Sequence, residues 1–251
     1  KIDDEKFESE GYYGEFQDEK YPYFCMPVDE ESFINQFQED FNLSRTNEPG
    51  LSIIIPYPNN ELEAVAYIES VISSYFMEIH DGKLEVHVRT DEKSVRIASD
   101  TLREVINTRE ESPTFHKSIL ISLLDFCGRI TRIDTTSSGY HFLNTKDGNL
   151  APKLKEDSFN GEDLDHIKTA FHNGELLWFA VQVNVQKESE NKTHPNVYSI
   201  FIEKDDTLQE AQEIFIRDGL TISGQSFLKT KGVRALILID GGDDGEERGC
   251  P

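Results

Sequence analysis

The sequence predicts an α+β or α/β fold, a mixed sheet with helices packed on one face, in one body or in two lobes. Three observations predict it. Leu62, Val65, Ile68, Ile72, Tyr75, Phe76 and Ile79 recur at spacings of three and four, which lays one apolar stripe along a helix from about Glu61 to Ile79. After Glu175 the period shortens to two, and four strand signals follow with one short helical stretch near Leu208 to Glu213. Among them, Val233-Arg234-Ala235-Leu236-Ile237-Leu238-Ile239 is a nearly continuous apolar run, the pattern of a central strand covered on both faces.

Residues 1–49 mix acids with aromatics, among them Phe7, Tyr12, Tyr13, Phe16, Tyr21, Tyr23 and Phe24. Disordered acidic chains are poor in aromatics, so this segment is expected to lie against a neighbouring domain or a partner chain. Ser32 to Asp40 reads as a short helix with Phe33, Ile34 and Phe37 inward. Residues 50–127 read as a strand-helix-strand α/β unit with two further helices. Gly50-Leu51-Ser52 opens an apolar strand, Ile53-Ile54-Ile55, that Pro56 stops. Asn59 or Asn60 suits the N-cap of the long helix. Asp81-Gly82 is a turn signal, after which Leu84, Val86 and Val88 alternate with Glu85, His87 and Arg89. Ser94 to Ala98 fits one more strand. Leu102, Val105 and Ile106 mark a helix ending near Arg109, and Phe115 to Cys127 marks another that Gly128 should cap.

Residues 128–174 read as a loop-rich connection with one helix, Asp163 to Phe171. Residues 175–240 form the β lobe, expected to be mostly antiparallel. Val197, Ser199, Phe201 and Glu203 share one face of its second strand, and Phe215-Ile216-Arg217 and Leu220-Thr221-Ile222 flank an Asp218-Gly219 turn. Residues 241–251 are an acidic tail.

Charge narrows the function classes. The chain carries a net −23 at 29% charged residues. Residues 1–50 hold 14 acids against 4 bases and residues 240–251 hold 5 against 1, giving −10 and −4 and leaving −9 for the middle. Tight nucleic-acid binding draws on Lys and Arg neutralising phosphates, so this balance argues against it; Lys229, Lys231 and Arg234 form the nearest basic patch. Cys25, Cys127 and Cys250 form no CxxC pair and are expected to be reduced thiols in a cytoplasmic protein. No membrane span or signal peptide is expected, and the sequons at Asn42 and Asn191 are read as chance. The chain starts at Lys1, which leads us to expect a fragment or a processed product.

Catalytic patterns are missing from the sequence. The seven histidines form no HxxxH pair and none stands beside a cysteine, so no metal ligation is expected. No nucleophile elbow, Walker lysine loop or GxGxxG follows a strand. A metal-dependent nuclease is the weakest option, since the carboxylate cluster it needs is not displayed. Three motifs exceed what folding alone requires: Gly50-Leu51-Ser52, Arg217 at its turn, and Lys229-Thr230-Lys231-Gly232 before the apolar run. A loop lysine in that place can reach a phosphate as a point charge.

Gly50-x-Ser52 with Ile53-Ile54-Ile55-Pro56, the long helix, Gly82-Lys83-Leu84-Glu85-Val86, the Phe215–Ile222 stretch and the Gly232–Asp240 stretch together resemble bacterial ATP-binding proteins of the GHKL superfamily. That superfamily includes gyrase, heat-shock chaperones, histidine kinases and mismatch-repair ATPases, and some members stand in anti-phage defence loci. The resemblance spans roughly residues 45–240. It implies that the chain holds the end of an ATP-binding sheet and a transducer-like domain, with Mg-ATP bound by a domain upstream and no cofactor, metal or catalytic residue in this chain. Gly50 matches the family's Gly-Thr pair, Leu51 departs from it, and Ser52 stands nearest to the missing hydroxyl. The Thr230-Lys231 loop resembles the element that reaches the γ-phosphate, with Arg217 as the second candidate. The implied partner is the upstream ATPase domain or another subunit, a homodimer included. The alternative is a non-catalytic module that docks a protein through the acidic-aromatic N-terminus.

Overall fold

The structure, a computed structural model, describes residues 15–16, 25–26, 28–43, 49–55, 63–90, 94–144, 159, 161–187, 192–222, 224–225 and 227–239. The chain divides into two units, Lys1–Asn60 and Glu61–Pro251. That division separates the Gly50 stretch from the long helix, which the sequence had joined in one α/β unit.

In the first unit, β1 (Glu15–Phe16) pairs antiparallel with β2 (Cys25–Met26), and α1 spans Glu31–Asp40. The helix forms where the sequence places it, but its apolar side is not inward: no residue of α1 is buried. Ile34 and Phe37 are exposed, as is Phe41 just past its end, and the rings of Phe33, Phe37 and Phe41 line up at centroid distances of 6.2 and 4.7 Å. Among the described residues of this unit, one ten-residue helix and a two-residue ladder make no second layer to bury that side against. Residues 51–55 form no strand, and Leu51, Ile53 and Ile55 are exposed. β-propensity becomes a strand only through a hydrogen-bonded partner, and none of the described strands pairs with this run.

The second unit opens with α2, Ala64–His80, two to three residues later than the pattern suggests; Asn59, Asn60 and Leu62 lie outside the described residues. Ile68, Ile72, Phe76 and Ile79 of its stripe are buried, together with Met77. Val65 and Tyr75 stay exposed, and the non-helical backbone of Tyr75 (φ −130°, ψ 18°) marks a kink that turns the stripe. The turn at Asp81-Gly82 leads to β3 (Val86–Arg89), which pairs antiparallel with β4 (Ser94–Ile97). Next come α3 (Leu102–Asn107) and α4 (Lys117–Ile130). Gly128 does not cap α4; the helix runs through it, and Thr131 is the C-cap.

The remaining strands are β5 (Tyr140–Asn144), β6 (Leu177–Lys187), β7 (Lys192–Lys204), β8 (Gln212–Arg217), β9 (Leu220–Ile222) and β10 (Val233–Ile239), with α5 (Gly161–His172) between β5 and β6. Their order in the sheet is β5-β6-β7-β10-β8-β9. The sheet is mixed: β5 runs parallel to β6 and β8 parallel to β10, and the other neighbours are antiparallel. Strand β5 was not anticipated in the loop-rich stretch, and the helix expected over 208–213 is instead an irregular stretch followed by the start of β8. The apolar run is the interior strand it resembles, with β7 on one side and β8 on the other.

One face of this sheet carries Trp178, Phe201, Ile214, Ile216 and Leu236, in one core with residues of α2, α3 and α4. Each such side chain, fully buried, stabilises the fold by about 1.5–3 kcal/mol. The Trp178 ring stacks on Phe201 at 5.4 Å and its indole Nε1 donates to Ser199 at 3.0 Å, so this buried polar atom is satisfied. The opposite face buries Leu177, Val181, Val233 and Ala235. Helix α5 is the crossover between parallel β5 and β6, and Phe159 just before it meets Phe179 of that opposite face edge-on.

Candidate functional site

Charged groups gather where α4 crosses the end of the sheet at which β10 begins. Ser122, Phe126 and Arg129 follow one another at four and three residues, so one side of α4 presents all three. Register does the rest on the sheet: Arg234 of β10 stands opposite Glu203 of β7 and Gln212 of β8. Arg234 is 2% exposed and Glu203 5%. The Arg234 guanidinium donates from Nε to Gln212 (2.6 Å), from Nη1 to Glu203 (2.7 Å) and from Nη2 to the Ser122 hydroxyl (2.5 Å). Its Nη2 also stands 2.9 Å from Asp205 Oδ2. Arg129 closes on both oxygens of Glu203 at 2.5 and 2.7 Å, and both guanidiniums lie within 6 Å of the Phe126 ring centroid, at 5.7 and 5.6 Å.

Two arginines against Glu203 and Asp205 sum to zero, the condition under which buried charges survive desolvation. Asp205 is further fixed by Thr207, whose backbone N–H and hydroxyl both donate to it. The Thr207 hydroxyl, with the Arg234 charge adding to it, holds the Asp205 carboxyl below its ordinary range. The neighbouring Cys127 thiol is pushed up to about 12, chiefly by burial, and the Asp81 charge adds to that. A thiol so raised is a small packing group, not a nucleophile.

Arg129 separates two clefts. One, of about 400 Å³, is lined by Glu203 to Asp206 and by His172 to Gly174. The other, of about 370 Å³, lies between α3 and α4 and is lined by Arg103, Asp125, Gly128, Arg132, Ser99 and His80, with Leu102 and Leu124 at its base. Arg103 donates to Asp125 across its mouth at 2.5 Å. Among the described residues no group of three His, Cys, Asp or Glu side chains is placed to hold a metal ion. No described helix is long and apolar enough to cross a membrane.

The residues singled out from the sequence do not converge. Thr230 and Lys231 are exposed in a stretch without regular structure. That stretch meets the charged network through Gly232, whose carbonyl accepts the Asp205 N–H at 2.9 Å. Arg217 is the last residue of β8, exposed, with Nε 3.6 Å from Asp218. Since β8 and β10 run parallel, Arg217 lies at the end of the sheet where β10 finishes, roughly 20 Å from where it starts at about 3.3 Å per residue. Lys231 and Arg217 therefore cannot serve one phosphate together. Gly50 and Ser52 belong to the first unit and open no strand; Gly50 has φ 140°, a backbone setting that itself calls for glycine. Arg234 is inside the fold, so the nearest basic patch that the sequence offers reduces to Lys229 and Lys231.

Arg129, Glu203, Asp205, Arg103 and Arg132 were not anticipated as a group. One signal was available: a charge inside a central-strand pattern, as Arg234 is, requires a buried countercharge, and Glu203 sits on the face of its strand that carries Phe201. Comparison with known protein families, with curated proteins and with solved structures finds no match to this chain.

Proposed function

We propose that this chain is a coupling module of a GHKL-type ATP-binding protein, one that converts the nucleotide state of an upstream domain into movement or assembly. The observation that carries the reading is the position of Lys231, three residues before Arg234 on the segment that becomes the central strand. A phosphate drawn to the exposed ammonium pulls on Gly232. Gly232 is bonded to Asp205, and Arg234 ties β10 to β7, β8 and α4 at once. A local electrostatic event at the loop is thus delivered to one helix and three strands. Between the two sensor candidates, this connection favours Lys231 and Thr230 over Arg217.

The test is ATP hydrolysis by the native-length protein carrying Lys231→Ala with Thr230→Ala, beside Arg217→Ala. We expect the loop variant to lose at least about tenfold, the value of one charge-assisted contact, and Arg217→Ala to keep wild-type turnover. Unchanged hydrolysis in the loop variant defeats the coupling reading. The second reading, a non-catalytic module that docks a protein partner, then stands. Its support is the aligned, exposed Phe33, Phe37 and Phe41 side of α1.

A further inference from the structure

We propose that the cleft between α3 and α4 is a binding site for a small phosphate-bearing ligand, held by Arg103 and Arg132 over Gly128. Three guanidiniums line this one cleft in a chain whose net charge is −23; Arg103 is paired with Asp125 and Arg129 with Glu203. Arg132 makes no ion pair among the described residues. Ser99, on the facing wall, makes no side-chain hydrogen bond among them either. Both side chains are exposed at the cleft, and a guanidinium fork and a hydroxyl offer donors to an acceptor-rich group.

Gly128 supplies the independent observation. It lies inside α4, where glycine is among the poorest helix formers. A glycine inside a helix is usually explained by close packing, but a Cβ built here meets no atom within 4 Å. Neither helix propensity nor packing calls for glycine at this position. What a side chain would do is take up space in the cleft that Gly128 lines, whose volume of about 370 Å³ is that of a small-ligand site.

The carboxylate already present narrows the ligand class. Asp125 holds Arg103 at 2.5 Å, so an incoming monocarboxylate would exchange one such contact for another like it. A phosphate brings up to two charges and three acceptor oxygens, enough to draw Arg103 from Asp125 while engaging Arg132. The inference does not rest on the coupling reading, because Lys231 is not among the residues that line this cleft.

The experiment is calorimetric titration of the full chain with pyrophosphate, beside inorganic phosphate, adenosine monophosphate and acetate, on wild type and on Gly128→Leu, Arg132→Gln, Asp125→Asn and Lys231→Ala. We expect saturable pyrophosphate binding, weakened at least about tenfold by Arg132→Gln and by Gly128→Leu, strengthened by Asp125→Asn and unchanged by Lys231→Ala. Gly128→Leu should melt no lower than wild type, because it improves helix propensity in open space, so its loss of binding cannot be misfolding. Tighter binding of the nucleotide than of phosphate assigns a nucleotide, and equal binding assigns an isolated phosphate group. Absence of saturable pyrophosphate binding, affinity unchanged in both Gly128→Leu and Arg132→Gln, or acetate bound as tightly as pyrophosphate overturns the proposal.

Discussion

Two arginines on neighbouring parallel strands of one sheet, Arg234 on β10 and Arg217 on β8, have opposite surroundings. Arg234 at the start of its strand is 2% exposed and engages Gln212, Glu203, Ser122 and Asp205. The side chain of Arg217, at the end of its strand, is 67% exposed, and its nearest carboxylate stands 3.6 Å away, beyond good hydrogen-bond distance. What separates them is α4, which covers the first end and lays Phe126 and Arg129 over it. A guanidinium becomes a structural node only where other elements remove its water and replace every hydrogen bond it loses. The end with α4 is therefore the one at which a single arginine ties a helix to three strands.

The sharpest way to break this comparison is Arg234→Ala. It leaves Glu203 and Asp205 with one cation fewer, and should cost about 3–5 kcal/mol in urea unfolding, the range for stranding a buried charge. Arg234→Lys keeps the charge but loses the fork, and should fall between the alanine variant and wild type. A cost for alanine below about 1 kcal/mol would mean that water already reaches the network.

Acid probes the same end more gently. The Asp205 carboxyl has its pKa lowered in the folded chain, so between that value and the ordinary 3.8 the unfolded chain binds more protons than the native one. Its contribution is complete above about pH 4 and is lost as pH falls through the lowered value. In Asp205→Asn this component is gone, and the fall of stability with pH below about 4 should be shallower than in wild type, read from urea midpoints at successive pH values. Parallel curves for the two proteins would show that Asp205 is not held as its Thr207 and Arg234 contacts indicate.

The sequence made α2 and β10 legible because periodicity reports burial directly: Ile68, Ile72, Phe76 and Ile79 recur on one side, and every residue from Val233 to Leu236 is buried. It was misleading at residues 50–55, where the apolar pattern was read correctly but a strand needs a partner that no short window reveals. It missed β5, whose five residues are short and whose Tyr140 and Phe142 are interleaved with His141. The charged network was hidden for a different reason. Arg129 lies 74 residues from Glu203, and Ser122 lies 112 from Arg234. Only register and the crossing of α4 bring them together, although Arg234 within an apolar run already required a partner somewhere.

The smallest effect belongs to the other arginine, and it sharpens the contrast most economically. Arg217→Ala removes an exposed side chain at the Asp218-Gly219 turn, where Asp218 (φ 48°) and Gly219 (φ 80°) hold the left-handed geometry of a tight hairpin without help from the arginine. Stability should change by no more than about 0.5 kcal/mol, the range for surface positions without special features, measured by the same urea unfolding. A larger loss would place Arg217 in a structural role that its exposure conceals, and the two ends of the sheet would then differ in degree and not in kind. A loss confined to ATP hydrolysis, with stability intact, would move the proposed phosphate sensor from Lys231 to Arg217. The signal would then have to enter the sheet at the other end, where α2 packs against β9.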